Sequence, residues 1–200
     1  MGMIKRRFLI LIIPLFMLQS CGFKQDMSAH HYADSSVIPN ALPTNVGLIV
    51  PRPMFRKEVY THGTHIRLYP GFYETMKHKY EGLFKSVRIV GADDINSSYD
   101  VLIEANCDIL NNEELFFSAR ISNADNQSIT LQKGQPIAAI SGPQAAAYFA
   151  LTFTLIGAPL AFNHSNREHE RNVHNALVSI LEEIKADVYT SVDKLSHTTP

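Results

Sequence analysis

Residues 99–133 read YDVLIEANCDILNNEELFFSARISNADNQSITLQK. In the first third, Val101, Ile103, Ala105, Cys107 and Ile109 alternate with Glu104, Asn106 and Asp108. A period of two puts the apolar set on one face of a strand and the polar set on the other, so 99–110 is predicted to be a half-buried strand. Asn111-Asn112 turns the chain into a second alternating run, Leu115, Phe117, Ala119 and Ile121. Asn123-Ala124-Asp125-Asn126 turns it again into a third run over 128–133. Three strands on short polar turns make an antiparallel meander, with one face packed and the other meeting water or a partner. Cys107 falls on the apolar face, where a thiol acts as a small buried hydrophobe and not as a reactive group.

Towards the N-terminus, residues 86–90 read as a further strand. Before it, Phe72, Met76, Tyr80 and Leu83 recur at helical spacing behind Pro70, which predicts an amphipathic helix over about 70–84. The stretch 58–68 is rich in β-forming residues around His62-Gly63-Thr64, the pattern of a hairpin or long loop. Residues 46–50 are apolar on both faces and stopped by Pro51, as in a strand covered on both sides. Residues 22–44 show no period and hold Pro39 and Pro43, which predicts a flexible tether.

Towards the C-terminus, 145–162 is eighteen residues without a charge, interrupted by Gly157 and Pro159. Its helical part, 143–156, would be about 21 Å long, short of the ~30 Å hydrocarbon core of a bilayer. The expectation is a core helix on the meander's apolar face, ended by Gly157; the other role is an element that meets lipid or an apolar partner. Ser165-Asn166-Arg167-Glu168 has the form of a capping box that starts a long helix running to about 194. Its buried stripe is Val173, Leu177, Ile180, Leu181, Ile184 and Val188, and Glu182, Glu183, Lys185 and Asp187 face the other way. The expected fold class is therefore α+β, a mixed, largely antiparallel sheet carrying the meander, with helices on one face including the long C-terminal one.

The first 22 residues carry a different kind of signal. Lys5, Arg6 and Arg7 precede an apolar run over 8–18, which leads into Leu18-Gln19-Ser20-Cys21-Gly22. A basic start, a short apolar stretch and a small residue before the cleavage point are the parts of a secretory signal. Leu three residues before a cysteine and Ser just before it resemble the lipobox of bacterial lipoproteins. That resemblance implies a signal peptide over 1–20, cleavage before Cys21, S-diacylglycerol on the Cys21 thiol and an N-acyl chain such as palmitate on its amino group. Gly22, where enteric lipoproteins kept in the inner membrane have Asp, implies an outer-membrane lipid anchor facing the periplasm. The chain then divides into a lipidated N-terminus and tether over 21–44 and a single periplasmic domain over 45–200. Its element order is similar to that of small outer-membrane accessory lipoproteins that serve assembly and transport machines.

Charge and motifs narrow the function classes. The signal segment holds three of the 18 Lys+Arg and none of the 19 Asp+Glu, so the mature charge is 15 − 19 = −4 with His neutral. A mildly acidic chain without a basic block has no footprint for nucleic acid. With Cys21 lipidated, Cys107 is the only thiol left and no intramolecular disulfide can form. No phosphate-binding glycine loop, G-x-S-x-G elbow or H-E-x-x-H helix occurs. Asp93-Asp94 and Glu182-Glu183 are adjacent pairs, which in a helix do not converge on one point. Of the nine histidines, His62 and His65 share a turn, His30-His31 lie in the tether, and His164, His169 and His174 fall five apart, about 140° around a helix. No catalytic, cofactor-binding or metal-binding set is assigned. The expected function is a non-enzymatic accessory or scaffold component of an envelope assembly or transport system, with an envelope protein as partner and the membrane as support. The alternative is a periplasmic carrier of a lipid or small apolar ligand.

Overall fold

The computed structural model describes residues 23–27, 41–93, 98–141, 143–147 and 157–197. In chain order it has β1 (Phe23–Asp26), β2 (Leu42–Val50), a 3-10 turn over Arg52–Arg56, β3 (Glu58–Thr61), β4 (Thr64–Arg67) and helix α1 (Gly71–Tyr80). There follow β5 (Phe84–Gly91), β6 (Val101–Leu110), β7 (Glu114–Asn123), β8 (Ser128–Pro136) and helices α2 (Gly157–Glu183) and α3 (Lys185–Ser196). Residues 143–147 are also helical.

The larger sheet has the order β5-β2-β6-β7-β8. β2 pairs parallel with both β5 and β6, and β6, β7 and β8 form the antiparallel meander. Its register is unbroken: Cys107 stands opposite Phe117, and Phe117 opposite Lys133. Asn111 and Asn112 make the first turn with φ of 53° and 62°, a left-handed backbone that asparagine tolerates better than most residues. The chain is thus α+β with a mixed sheet, as the alternation of residues 99–133 predicts. A second sheet, of order β1-β4-β3, was not foreseen.

The helices cover one face of the larger sheet. Phe72, Met76 and Tyr80 of α1 are fully buried, and the Tyr73 hydroxyl donates to the Ala105 carbonyl at 3.1 Å, where β6 has run past its pairing with β2. The stripe Val173, Leu177, Ile180, Leu181, Ile184 and Val188 is buried throughout, and each such side chain contributes about 1.5–3 kcal/mol by leaving water. The stripe continues across the break between α2 and α3, because the Val188 amide still donates to Ile184 O at 2.9 Å. The opposite side of the meander stays open: Glu104, Asn106, Asp108, Arg120, Thr130 and Gln132 are exposed.

Four expectations are corrected. Residues 23–26, assigned to the tether, form β1, and β2 begins at Leu42; residues 28–40 lie outside the described residues. The Ser165-Asn166-Arg167-Glu168 box does not start a helix. α2 already includes Gly157, Asn166 is used in a tertiary hydrogen bond, and Pro159 sits in the first turn, where a missing N–H removes no helical bond. Ala145, Ala146 and Ala147, expected in a core helix, are exposed; 148–156 lie outside the described residues. Lys185, assigned to the solvent face, is 6% exposed and lies 3.9 Å from Glu182.

Candidate functional site

The chain that follows Cys21 enters the fold at one end of the molecule, and that end is knit together by bonds between distant segments. β1 lies parallel to β4, with Phe23 opposite Thr64 and Asp26 opposite Arg67. Just past the strand, the Met27 amide donates to Arg67 O at 2.9 Å. The backbone of Met27 then passes against Gly71, the first residue of α1. A Cβ added to Gly71 would lie 2.0 Å from the Met27 carbonyl oxygen, so only glycine allows this approach.

The outward face of the small sheet carries a lattice of charges. Lys24 Nζ donates to Glu58 at 2.8 Å, His65 stands 3.6 Å from the same carboxylate, and Arg67 stands 3.5 Å from Asp26. The hydrogen bond from Lys24 holds the Glu58 carboxyl below the usual carboxylate range. Such exposed pairs contribute little each, but together they fix β1 to a hairpin far from it in sequence. Lys57, just before β3, reaches Asn106 at 2.8 Å and Asp108 at 3.1 Å, tying the small sheet to the meander.

Around the start of β1 five contacts converge. The Thr64 hydroxyl donates to Asn166 Oδ1 at 2.8 Å, in a buried contact between β4 and α2. The Thr61 hydroxyl donates to the Asn112 carbonyl at 3.0 Å, which brings in the β6–β7 turn. Asn172 of α2 donates to Ala138 O at 2.8 Å, and the Ile137 amide donates to Glu113 O at 2.7 Å. The fifth contact is a ring stack between His62 and His169, with centroids 5.1 Å apart and planes 7° from parallel. His62 has φ of 46° and Gly63 of 86°, so the two residues make the left-handed turn that a two-residue hairpin needs. His169 is buried, and burial, with the facing His62 adding to it, holds its pKa below the ordinary histidine value against a smaller opposing effect of Glu168.

Cys21, the predicted lipidation site, lies outside the described residues, as do His30, His31 and Asp94. His62 and His169 come together; His65 faces Glu58, His164 is exposed and His174 is buried. No group of three metal-capable side chains occurs among the described residues. Asp93 pairs with Arg52 at 2.8 Å. Glu182 and Glu183 diverge, one to Lys79 at 3.0 Å and the other to Lys133 at 2.7 Å. Cys107 is fully buried, and burial pushes its thiol up to about 12, far from the reactive thiolate. An open groove of about 620 Å³ runs between α1 and the edge strand β5, where Lys77, Glu81, Lys85 and Arg88 line it. A groove lined by charges suits water or a polar partner better than an apolar ligand.

Sequence reasoning missed Asn166, Glu58 and the histidine stack. All three act across long sequence separations, and neither periodicity nor local motif reports such contacts. Among the described residues no helix is long and apolar enough to cross a membrane. No family model, curated protein or solved structure matches this chain.

Proposed function

We propose that the chain is a lipid-anchored, non-enzymatic accessory or scaffold protein of a bacterial cell envelope, held to the outer membrane through Cys21 and facing the periplasm. The observation that carries this reading is the run Leu18-Gln19-Ser20-Cys21-Gly22 behind a basic start and an apolar stretch. Three acyl chains on one residue exceed the two hydrophobic signals that stable membrane attachment requires, since each buried methylene contributes about 0.8 kcal/mol. The open face of the meander offers the partner surface. Its polar rows, Glu104-Arg120-Thr130 and Asn106-Ser118-Gln132, are flanked by the half-buried Leu102 and Phe116 and the exposed Leu110. A mixture of apolar and hydrogen-bonding groups on a rigid sheet suits recognition of a folded protein.

Fractionation of cell envelopes tests the anchor. The wild-type chain is expected in the membrane fraction and to need detergent for release. Cys21→Ala is expected either in the soluble periplasmic fraction or as an uncleaved precursor. A variant that fractionates like wild type at the same apparent mass would remove the lipoprotein reading.

A further inference from the structure

If Cys21 is lipidated, the distance from the anchor to the fold is set by two residues. Phe23 already pairs in the small sheet, and an extended chain spans at most about 3.6 Å per residue, so the start of β1 is within about 7 Å of the acylated residue. The headgroup layer on each side of a bilayer is itself about 5–8 Å thick. The end of the domain at which β1 starts therefore stands at the headgroups, not above them on a tether.

α2 projects past that level. Glu183 pairs with Lys133 inside β8, whereas Asn172 bonds to Ala138 beyond the end of β8, so reading α2 backwards moves towards the end where β1 starts. Asn166 is level with Thr64, the register partner of Phe23. The helix continues to Gly157, nine residues further, or about 13 Å of axis at 1.5 Å per residue. That exceeds the roughly 7 Å leash. The chemistry of the sequence changes at the same place. No Asp, Glu, Lys or Arg occurs between Lys133 and Arg167, and Arg167, exposed, is the first charge after Asn166. The helical residues 143–147 are also uncharged, and they are exposed; Pro143 follows Ala138 by five residues, a reach of at most about 18 Å.

We infer that the domain is seated directly on the bilayer by this end, with the first turns of α2, residues 157–163, lying in the headgroup and upper acyl region of the membrane that holds the Cys21 lipid. This rests on the lipidation of Cys21 proposed above. The partner of the surface is lipid, taken up to the roughly 5–10 Å depth at which interfacial helices sit, not spanned. Arg167 then stands among the lipid phosphates. The open face of the meander and the far turn at 124–127, about 33 Å away along β6 at 3.3 Å per residue, stay in the periplasm.

The chain has no tryptophan, so a single introduced one reports its own depth. Asn163→Trp and His164→Trp sit at exposed positions near the start of α2, and Asp125→Trp sits at the exposed far turn. Each full-length chain would be matured in cells and purified. It would then be reconstituted into phosphatidylethanolamine–phosphatidylglycerol vesicles with or without brominated acyl chains. The two α2 reporters are expected to blue-shift on vesicles and to lose about half their emission to bromine, as befits a depth of 5–10 Å. The Asp125→Trp emission should not change. Acylated, vesicle-bound protein whose α2 reporters match Asp125→Trp would overturn the seating and leave the anchor standing. An unmodified Cys21 in the same preparations would overturn both.

Discussion

His169 is kept neutral by where it lies. It is buried, its ring stacks on His62, and protonating it would place a cation out of water beside a second imidazole. Its folded pKa is below the ordinary histidine value, so between those two values the unfolded chain binds more protons than the folded one. Its contribution to stability is full above the ordinary histidine pKa and is lost as pH falls through the folded value. The melting temperature is expected to be lower at pH 5.5 than at pH 7.5, and His169→Gln should reduce that difference. An unchanged pH dependence in the variant would mean that the stack is not its source. Cys107 is the opposite case at this scale. Strict alternation along 99–110 gave its burial away in advance, because a period of two reports a face directly. Nothing local reports that His62 and His169, on a hairpin turn and on a helix, meet.

Among the elements, β1 is the one that changes the reading of the molecule. Phe23-Lys24-Gln25-Asp26 has no run of β-branched residues and no alternation, so its sequence gives no reason to call it a strand. The strand exists because β4 offers a parallel edge, Glu58 and Arg67 offer charges, and Gly71 leaves room for Met27. Gly71→Ala should drive a methyl group into the Met27 carbonyl and cost about 1–3 kcal/mol, the usual range for overpacking. Hydrogen exchange at residues 24–27 should accelerate more than in the meander. If those amides stay as protected as in wild type, β1 is not held by this contact. α2 shows the complementary failure of local motifs. Its buried stripe is read correctly from a period of 3.6, yet its start is misplaced because a Ser-x-x-Glu box occurs inside a helix. Asn166 serves Thr64 there, and a motif cannot distinguish a capping residue from one that binds a neighbour.

At the scale of the whole molecule, the fold gives the chain two ends with different chemistry. One end receives the segment after Cys21 and carries the uncharged start of α2. The other end, together with the open meander face, carries Glu104, Arg120, Asp125 and their neighbours into water. Seated as proposed, the domain would present one sheet face at a fixed height and angle to whatever stands beside it in the membrane. That seating would exchange the reach of a tether for preorganisation, which lowers the entropic cost of docking. All of this depends on the residue at which the mature chain begins. Intact mass of the protein extracted from envelopes, with sequencing of its N-terminal peptide, tests that most directly. The expected result is a chain starting at Cys21 with three acyl chains on that residue. A mature chain that starts elsewhere, or one whose first residue has no acyl mass, would contradict it.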